Sequence, residues 1–466
     1  MTTSICKQHG WFLTALFFLS LFLRAAIFQS YLGKNENFWQ VDSSTYHLMA
    51  QSIAAGKGVA HPDGRPQFYR VPGYPLFLAA SYVFLGSDKK IALWVQVVLA
   101  SIIPILIFLL SLTLFPGMVL LARCASLYAA CHLGFLLFSG FFMTESLFIF
   151  LFLLFALCFF KRPSTGLSLF FAGLFLGAAG MVRPVGHYLL ILTMLVLLFL
   201  QHGGILKKFY RISWLTLGWL LPVAWWLLRN YLLTGYLFFH TLPGGHFLYL
   251  SAARVAMHEH DCSYQEARRL LSQQAATAMQ QKENALGRPL HEIEQSLVNE
   301  SLAVTYFKMR PLTAAKNWCT DMARTMFSLY SAELLYLQSG RQEVDYFNKQ
   351  RGPWAMVCRY LFPPTDSWFL RLIIYCEMLF FLFILLGFAL GLYQIGLKIF
   401  RCGLASFQQP DFAVWLEVLP YMLFFVVIAL SGGYARMRLP LEPFLIILSL
   451  WSFQKAFTRA NFFIKQ

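Results

Sequence analysis

Apolar residues in this chain run in blocks near the ~20-residue length that crosses a bilayer as a helix. The blocks fall at 11–30, 91–114, 117–139, 144–160, 166–182, 186–201, 212–231, 368–396, 412–431 and 439–457. A further run, 72–86, is short for a full crossing and reads as a half-helix or re-entrant piece. The first run follows Lys7, carries Arg24 inside and lacks a small-residue cleavage site, so it reads as an uncleaved signal anchor. The pattern predicts an all-α polytopic membrane protein of about ten transmembrane helices plus a re-entrant segment.

The blocks are interrupted by one long polar stretch, 234–364. It holds thirteen Lys/Arg and eleven Asp/Glu, balanced as on a folded soluble surface. Within it SYQEARRLLSQQAATAMQQKENAL predicts a helix and HEIEQSLVNESLAVTYFKM another, with Arg310-Pro311 breaking the second. The expected organisation is a transmembrane module over 1–233 with a first outer loop at 31–71, a mostly helical extracytoplasmic domain over 234–364, and C-terminal transmembrane helices over 365–466.

Composition supports this reading. Of 466 residues 58% are hydrophobic and 12% charged, where a soluble domain carries about 25% charged residues. The net charge of +16 would suggest nucleic acid on a soluble protein. No basic arm with interleaved aromatics is present, and nucleic acid is not an expected partner. The positive charge instead lies in short connections: Lys161-Arg162, Lys207-Lys208-Arg211, Lys398-Arg401 and Lys455-Arg459-Lys465, with Arg123. If ten spans alternate, these share one side, which is cytoplasmic, as are both termini. The loop 31–71, the turns at Glu145, Arg183 and Arg436, and the polar stretch fall on the other. The nine cysteines show no CxxC pair or Cys/His ligand spacing. Most read as packed thiols, and a disulfide among Cys262, Cys319 and Cys358 is open.

Candidate chemistry gathers on the outer side. In VDSSTYHLMA, Asp42 precedes a helical pattern and reads as an N-cap or as an acid held over a membrane-level cavity, with Tyr46 and His47 beside it. In PDGRPQFYRVPGYPLFLA, prolines stiffen the re-entry. Tyr69 and Tyr74 suit an interface belt, and Arg70 either snorkels to lipid or faces the site. Glu145 in MTESLFIF starts a span, as a dipole-favoured acid or a functional one. In GAAGMVRPVGHY, Gly173, Gly177 and Gly180 predict close helix packing. Arg183 there has no acid nearby in sequence, a vacancy that a phosphate would fill. Arg436 and Arg438 in GGYARMRLPLEP, and Arg229 ending LLPVAWWLLRNY, complete the set.

In order and spacing, DSSTYHLMAQSIAAGKG, RVPGYPLFLA, TESLFIF, GMVRP, WWLLRNYLLTG and RMRLPLEP resemble the GT-C membrane glycosyltransferases, in the branch of protein O-mannosyltransferase-like and aminoarabinose-transferase-like proteins. The resemblance runs from about residue 11 to 457, with the polar stretch least matched. It implies a GT-C-like bundle and a polyprenyl-phosphate-linked sugar donor. It implies a catalytic Asp in the first outer loop, here Asp42, and a second acid, here Glu145. It also implies a basic residue meeting the donor phosphate, here Arg183, with Arg70, Arg436 and Arg438 as further phosphate candidates. Tyr46, His47, Tyr69 and Arg229 would shape the substrate's surroundings. Where aminoarabinose-type relatives have an acid and a lysine before the proline, this chain has Arg70-Val71, which puts a family metal site there in doubt. A divalent cation held through Glu145 stays open as a cofactor.

The expectation is therefore a glycosyltransferase acting at the non-cytoplasmic face on a protein, lipid or glycan acceptor, with Asp42 as general base. The lack of eukaryotic retention signals leans to a bacterial inner membrane. The alternatives are a transporter or flippase of a lipid-linked sugar, for which no inverted repeat is found, and a lipid-linked glycan polymerase or ligase.

Overall fold

The computed structural model describes residues 2–33, 36–201, 203–339, 358, 361–363, 365–403, 409–428 and 433–464. Lys465, the end of the 412–431 run and parts of 340–364 lie outside them. Each apolar block is helical within the described residues, and no strand forms among them beyond one isolated bridge, Ala60 to Pro66. Five helices are long and apolar enough to cross a membrane: Gln8–Ser30, Lys89–Leu114, Ile205–Thr234, Trp368–Arg401 and Pro410–Val427. A sixth crossing results if Val119–Cys131 and Leu133–Gly140, bent by 49° at His132, form one span. The expected count of about ten rests on adding shorter apolar helices such as Glu145–Phe159, Gly166–Val182 and Val185–Leu200. Helices such as Trp368–Arg401, only 17% buried in their most apolar window, leave most of their hydrophobic surface outward. Such surface requires lipid, and the chain is an integral membrane protein.

The core of the bundle is aromatic. Phe148, Phe152, Phe155 and Phe159 stack along one face of Glu145–Phe159 and meet Tyr421, Phe425 and Phe444. The glycines of Gly166–Val182 do what their spacing predicts. A Cβ at Gly173 would strike the Leu215 carbonyl, and one at Gly177 the Trp219 carbonyl and Pro222, so Ile205–Thr234 lies backbone against backbone.

The 72–86 run forms Gly73–Leu85 and pairs with the first-loop helix Ser43–Ala54. His47 Nδ1 and Tyr82 Oη lie 2.8 Å apart across the pair. Lys89, just past its end, stacks over Trp39 of the first outer loop. This 13-residue helix therefore packs along the first outer loop.

In the polar stretch the two expected helices run Tyr264–Leu286 and Glu292–Met309. The first opens on a Ser263/Glu266 capping box and stops at Gly287 in the left-handed region, φ 66°. The second stops at Arg310, and Pro311 starts the next helix, Pro311–Phe327. Together with Ala253–Glu259 these helices close a separate core around Leu248, Ala256, Leu271, Ala303 and Tyr306. Cys262, Cys319 and Cys358 are free thiols, and Cys124, Cys131 and Cys376 are exposed on helix surfaces rather than packed.

Candidate functional site

Asp42 occupies the N-cap of Ser43–Ala54, yet its carboxylate makes no capping bond. Ser43 fastens this helix start instead, accepting from Gln40 N–H at 2.8 Å and donating to the Phe142 carbonyl at 2.9 Å. The Asp42 side chain is left free to turn toward Arg70, whose Nη2 donates to Oδ1 at 2.6 Å. Arg70 Nη1 donates to Tyr46 Oη at 3.0 Å, and its guanidinium lies over the rings of Tyr46 and Tyr69.

Glu145 opens its helix and is 1% exposed. Arg183, at the C-cap of Gly166–Val182 in the extended backbone that a following proline imposes, brings Nη1 to 2.9 Å from Glu145 Oε1. Arg436 Nε stands 3.9 Å from the same oxygen. Neither arginine completes a hydrogen bond to Glu145: Arg183 Nη1, Arg436 Nε and Glu145 Oε2 are buried without a hydrogen-bond partner, as is Arg70 Nε.

These segments meet because Gly73 allows it. A Cβ there would collide with the Met181 carbonyl and Val182 N, so Gly73–Leu85 begins directly on the end of Gly166–Val182. The contact brings the RVPG and MVRP turns to one place. Gly433 similarly abuts the Asp321 carbonyl of Pro311–Phe327 and positions the Arg436 turn.

The result is a cavity of about 130 Å³ whose lining includes Asp42, Tyr46, Tyr69, Arg70, Glu145, Arg183 and Arg436. Seven sequence candidates, contributed by five separate segments, therefore converge. Three do not reach it. His47 faces Tyr82. Arg229 donates to the Val59 carbonyl at 2.8 Å and to Asn230 Oδ1 at 2.9 Å, stacked on Trp226 and Phe68. Arg438, 1% exposed, binds Glu442 and the carbonyls of Thr325, Met326 and Ser328.

Sequence reasoning missed His240 and His246, which line the cavity from the start of the polar stretch. Burial, reinforced by Arg70 and His246, pushes His240 down to about 4. Burial and then Arg70 lower His246 as well. Their only signal is position, shortly after the WWLLRN stretch. Among the described residues no group of three or more His, Cys, Asp or Glu is arranged to hold a metal ion. Both cavity carboxylates already face guanidinium groups.

No family model matches the chain, and no curated protein matches it. Among solved structures, the archaeal oligosaccharyltransferase AglB from Archaeoglobus fulgidus, in complex with an inhibitory peptide and a dolichol-phosphate, aligns with a TM-score of 0.51 at 12% identity, covering 98% of this chain and 51% of that one. ArnT from Cupriavidus metallidurans, in the apo state, aligns with a TM-score of 0.35 at 10% identity, covering 89% of this chain and 73% of that one. This chain spans about half the length of AglB. What it shares with AglB is the fold, and that fold is the GT-C-like bundle expected from the sequence.

Proposed function

We propose that this chain is a membrane glycosyltransferase that moves a sugar from a polyprenyl-phosphate-linked donor to a hydroxyl or amine of a protein, lipid or glycan acceptor. The observation that carries the reading is the convergence of Asp42 and Glu145 with Arg70, Arg183 and Arg436 in one cavity. Three guanidinium groups line the cavity, and guanidinium groups favour an anionic ligand. The unpartnered N–H groups of Arg70, Arg183 and Arg436 suit the acceptor oxygens of a phosphate, with the planar fork able to engage two at once. That AglB was solved with dolichol-phosphate and a peptide supports a lipid phosphate and a separate acceptor as the ligand pair.

In this reading Asp42, oriented through Oδ1 by Arg70, takes the proton from the acceptor as its oxygen or nitrogen attacks the anomeric carbon. The bond from that carbon to the phosphate oxygen breaks, and the lipid phosphate leaves with the electron pair. Arg183 and Arg436 stabilise the charge that develops on it. Glu145 holds both arginines in place. The basic connections put the cytoplasm at the opposite end, so the reaction faces outward across a bacterial inner membrane. The polar stretch, read as an extracytoplasmic domain, contributes His240 and His246 to the cavity lining from its start.

Asp42→Asn tests the assignment. The native carboxylate does not cap its helix, and Asn is as good a cap as Asp, so membrane level should hold. General-base help is worth about 10²- to 10⁴-fold, and turnover of a purified polyprenyl-phosphate-linked sugar should fall by about 10² or more. In cells, deletion should remove one glycan by mass spectrometry while the lipid-linked donor accumulates, and the Asn variant should reproduce both. Full complementation by that variant would sink the mechanism. Movement of the donor across vesicles with its sugar linkage intact would favour a flippase.

A further inference from the structure

The WWLLRN stretch, read above as a source of a site arginine, does something else in the structure. Trp226 Nε1 donates to the Phe239 carbonyl at 2.7 Å, and Asn230 Nδ2 to the Phe238 carbonyl at 2.9 Å. Thr241 N–H donates to the Phe68 carbonyl at 3.1 Å. His187 stacks on the Phe239 ring with centroids 3.9 Å apart. Residues on both sides of His240 are thus pinned, by fully buried Trp226 and Asn230 and by the RVPG-bearing loop. A segment held this firmly brings His240 to the cavity, with Leu242 and His246 following it in the lining.

The imidazole so presented has no protein partner at Nδ1. A buried polar nitrogen left unpaired carries a penalty comparable to a lost hydrogen bond. An enzyme tolerates that where a substrate completes the bond. The nature of the partner follows from the surroundings. His240 shares the cavity with three guanidinium groups that are far better suited to a phosphate. Burial and the Arg70 charge keep the ring neutral, and a neutral imidazole both donates and accepts. The group it matches is an uncharged hydroxyl, which also does both.

Resting on the glycosyltransferase reading, we infer that His240 is a specificity-determining residue that hydrogen-bonds a hydroxyl of the bound substrate, with Trp226 and Asn230 as the positioning residues that hold it. Two sources supply that hydroxyl, the donor sugar and the acceptor, and they separate kinetically. An interaction present equally in ground and transition states changes KM and leaves kcat.

The experiment measures kcat and both KM values for His240→Leu and His240→Asn in the purified full-length protein, alongside thermal unfolding. The probe is whichever polyprenyl-phosphate-linked sugar and acceptor the wild type turns over. Leu fills similar space without a polar atom, whereas Asn keeps an amide near the Nδ1 position. His240→Leu should raise one KM by about five- to tenfold, the scale of one neutral hydrogen bond, with kcat near wild type. His240→Asn should recover most of that loss. A rise in the donor KM assigns the sugar hydroxyl, and a rise in the acceptor KM assigns the acceptor. Unchanged KM values in His240→Leu would overturn the inference. So would equal loss of thermal stability and activity in both variants, because a structural role predicts no rescue by Asn. If the wild type turns over no lipid-linked sugar, the functional reading itself fails and this inference goes with it. If turnover proceeds normally and only the His240 result is negative, the functional reading stands.

Discussion

Arg183 faces Glu145 at 2.9 Å where that carboxylate is 1% exposed. The vacancy beside Arg183 that pointed to a phosphate is thus partly filled by an acid from another segment, 38 positions away in the chain. Removing one partner of a buried pair costs about 3–5 kcal/mol, softened here by Arg436 at 3.9 Å. Arg183→Ala should therefore lose both thermal stability and turnover. Arg183→Lys keeps the charge and loses the fork, so its unfolding temperature should stay near wild type while turnover drops about tenfold. Thermal unfolding in detergent and kinetics with a lipid-phosphate donor separate the two effects. Wild-type turnover in Arg183→Lys would reduce Arg183 to an anchor for Glu145. At this scale the sequence made Asp42, Glu145 and the arginines visible because charge stands out in a greasy chain. It could not pair them, since Asp42 with Arg70 and Glu145 with Arg183 are contacts made through space. His240 was invisible for the opposite reason: a histidine in a polar stretch has no contrast with its neighbours.

The elements show where local sequence speaks and where it falls silent. Arg310-Pro311 and the glycine row of Gly166–Val182 each carry a backbone instruction, and each was legible, whereas the Ser263/Glu266 capping box was not singled out. The 49° bend at His132 was not legible, because 117–139 reads as one long block with no proline near the break. His132 turns extended there and accepts from Phe135 N–H as the cap of the second piece. Gly73 was read only as part of a stiff turn, although its contact with Met181 and Val182 joins two arginine-bearing turns. Gly73→Ala should part them. Overpacking costs about 1–3 kcal/mol, and the displacement of Arg70 from Arg183 should cut turnover further than that destabilisation explains. Gly396→Ala provides the contrast: nothing lies within 4 Å of its new methyl, and a helical Gly-to-Ala change should be neutral or stabilising by up to about 1 kcal/mol. Comparing unfolding temperature and turnover in the two variants tests the contact. Equal behaviour would show that the Gly73 approach is not needed.

Across the whole molecule, two of the groups of charged side chains bear on how the chain sits in the membrane. Asp42, Arg70, Glu145, Arg183 and Arg436 share the cavity, whereas Arg162 pairs with Glu417 and Lys455 with Asp411. The positive-inside pattern expects the first set on the outer side and the second on the inner side. Single cysteines at Lys57 and Ser272, both exposed, in a cysteine-free background should react with a membrane-impermeant thiol reagent in intact cells. Ser43 would be a poor choice, being fully buried and bonded to the Phe142 carbonyl. Protection of both sites until lysis would invert the topology and remove the proposed outward reaction.

Arg438 ties the far end of the chain to the turn that follows Pro311–Phe327. It holds the carbonyls of Thr325, Met326 and Ser328, while Glu442 accepts from Tyr330 Oη and Glu377 receives the N–H groups of Tyr330 and Ser331. Chains fold from the N-terminus as they are made, so this turn is synthesised more than a hundred residues before the arginine that fastens it. Arg436, two positions earlier, arrives at the same late moment to close the cavity. A nascent chain therefore carries Asp42, Arg70, Glu145 and Arg183 long before Arg436 is made, so the cavity lining cannot be complete until that last turn has been synthesised.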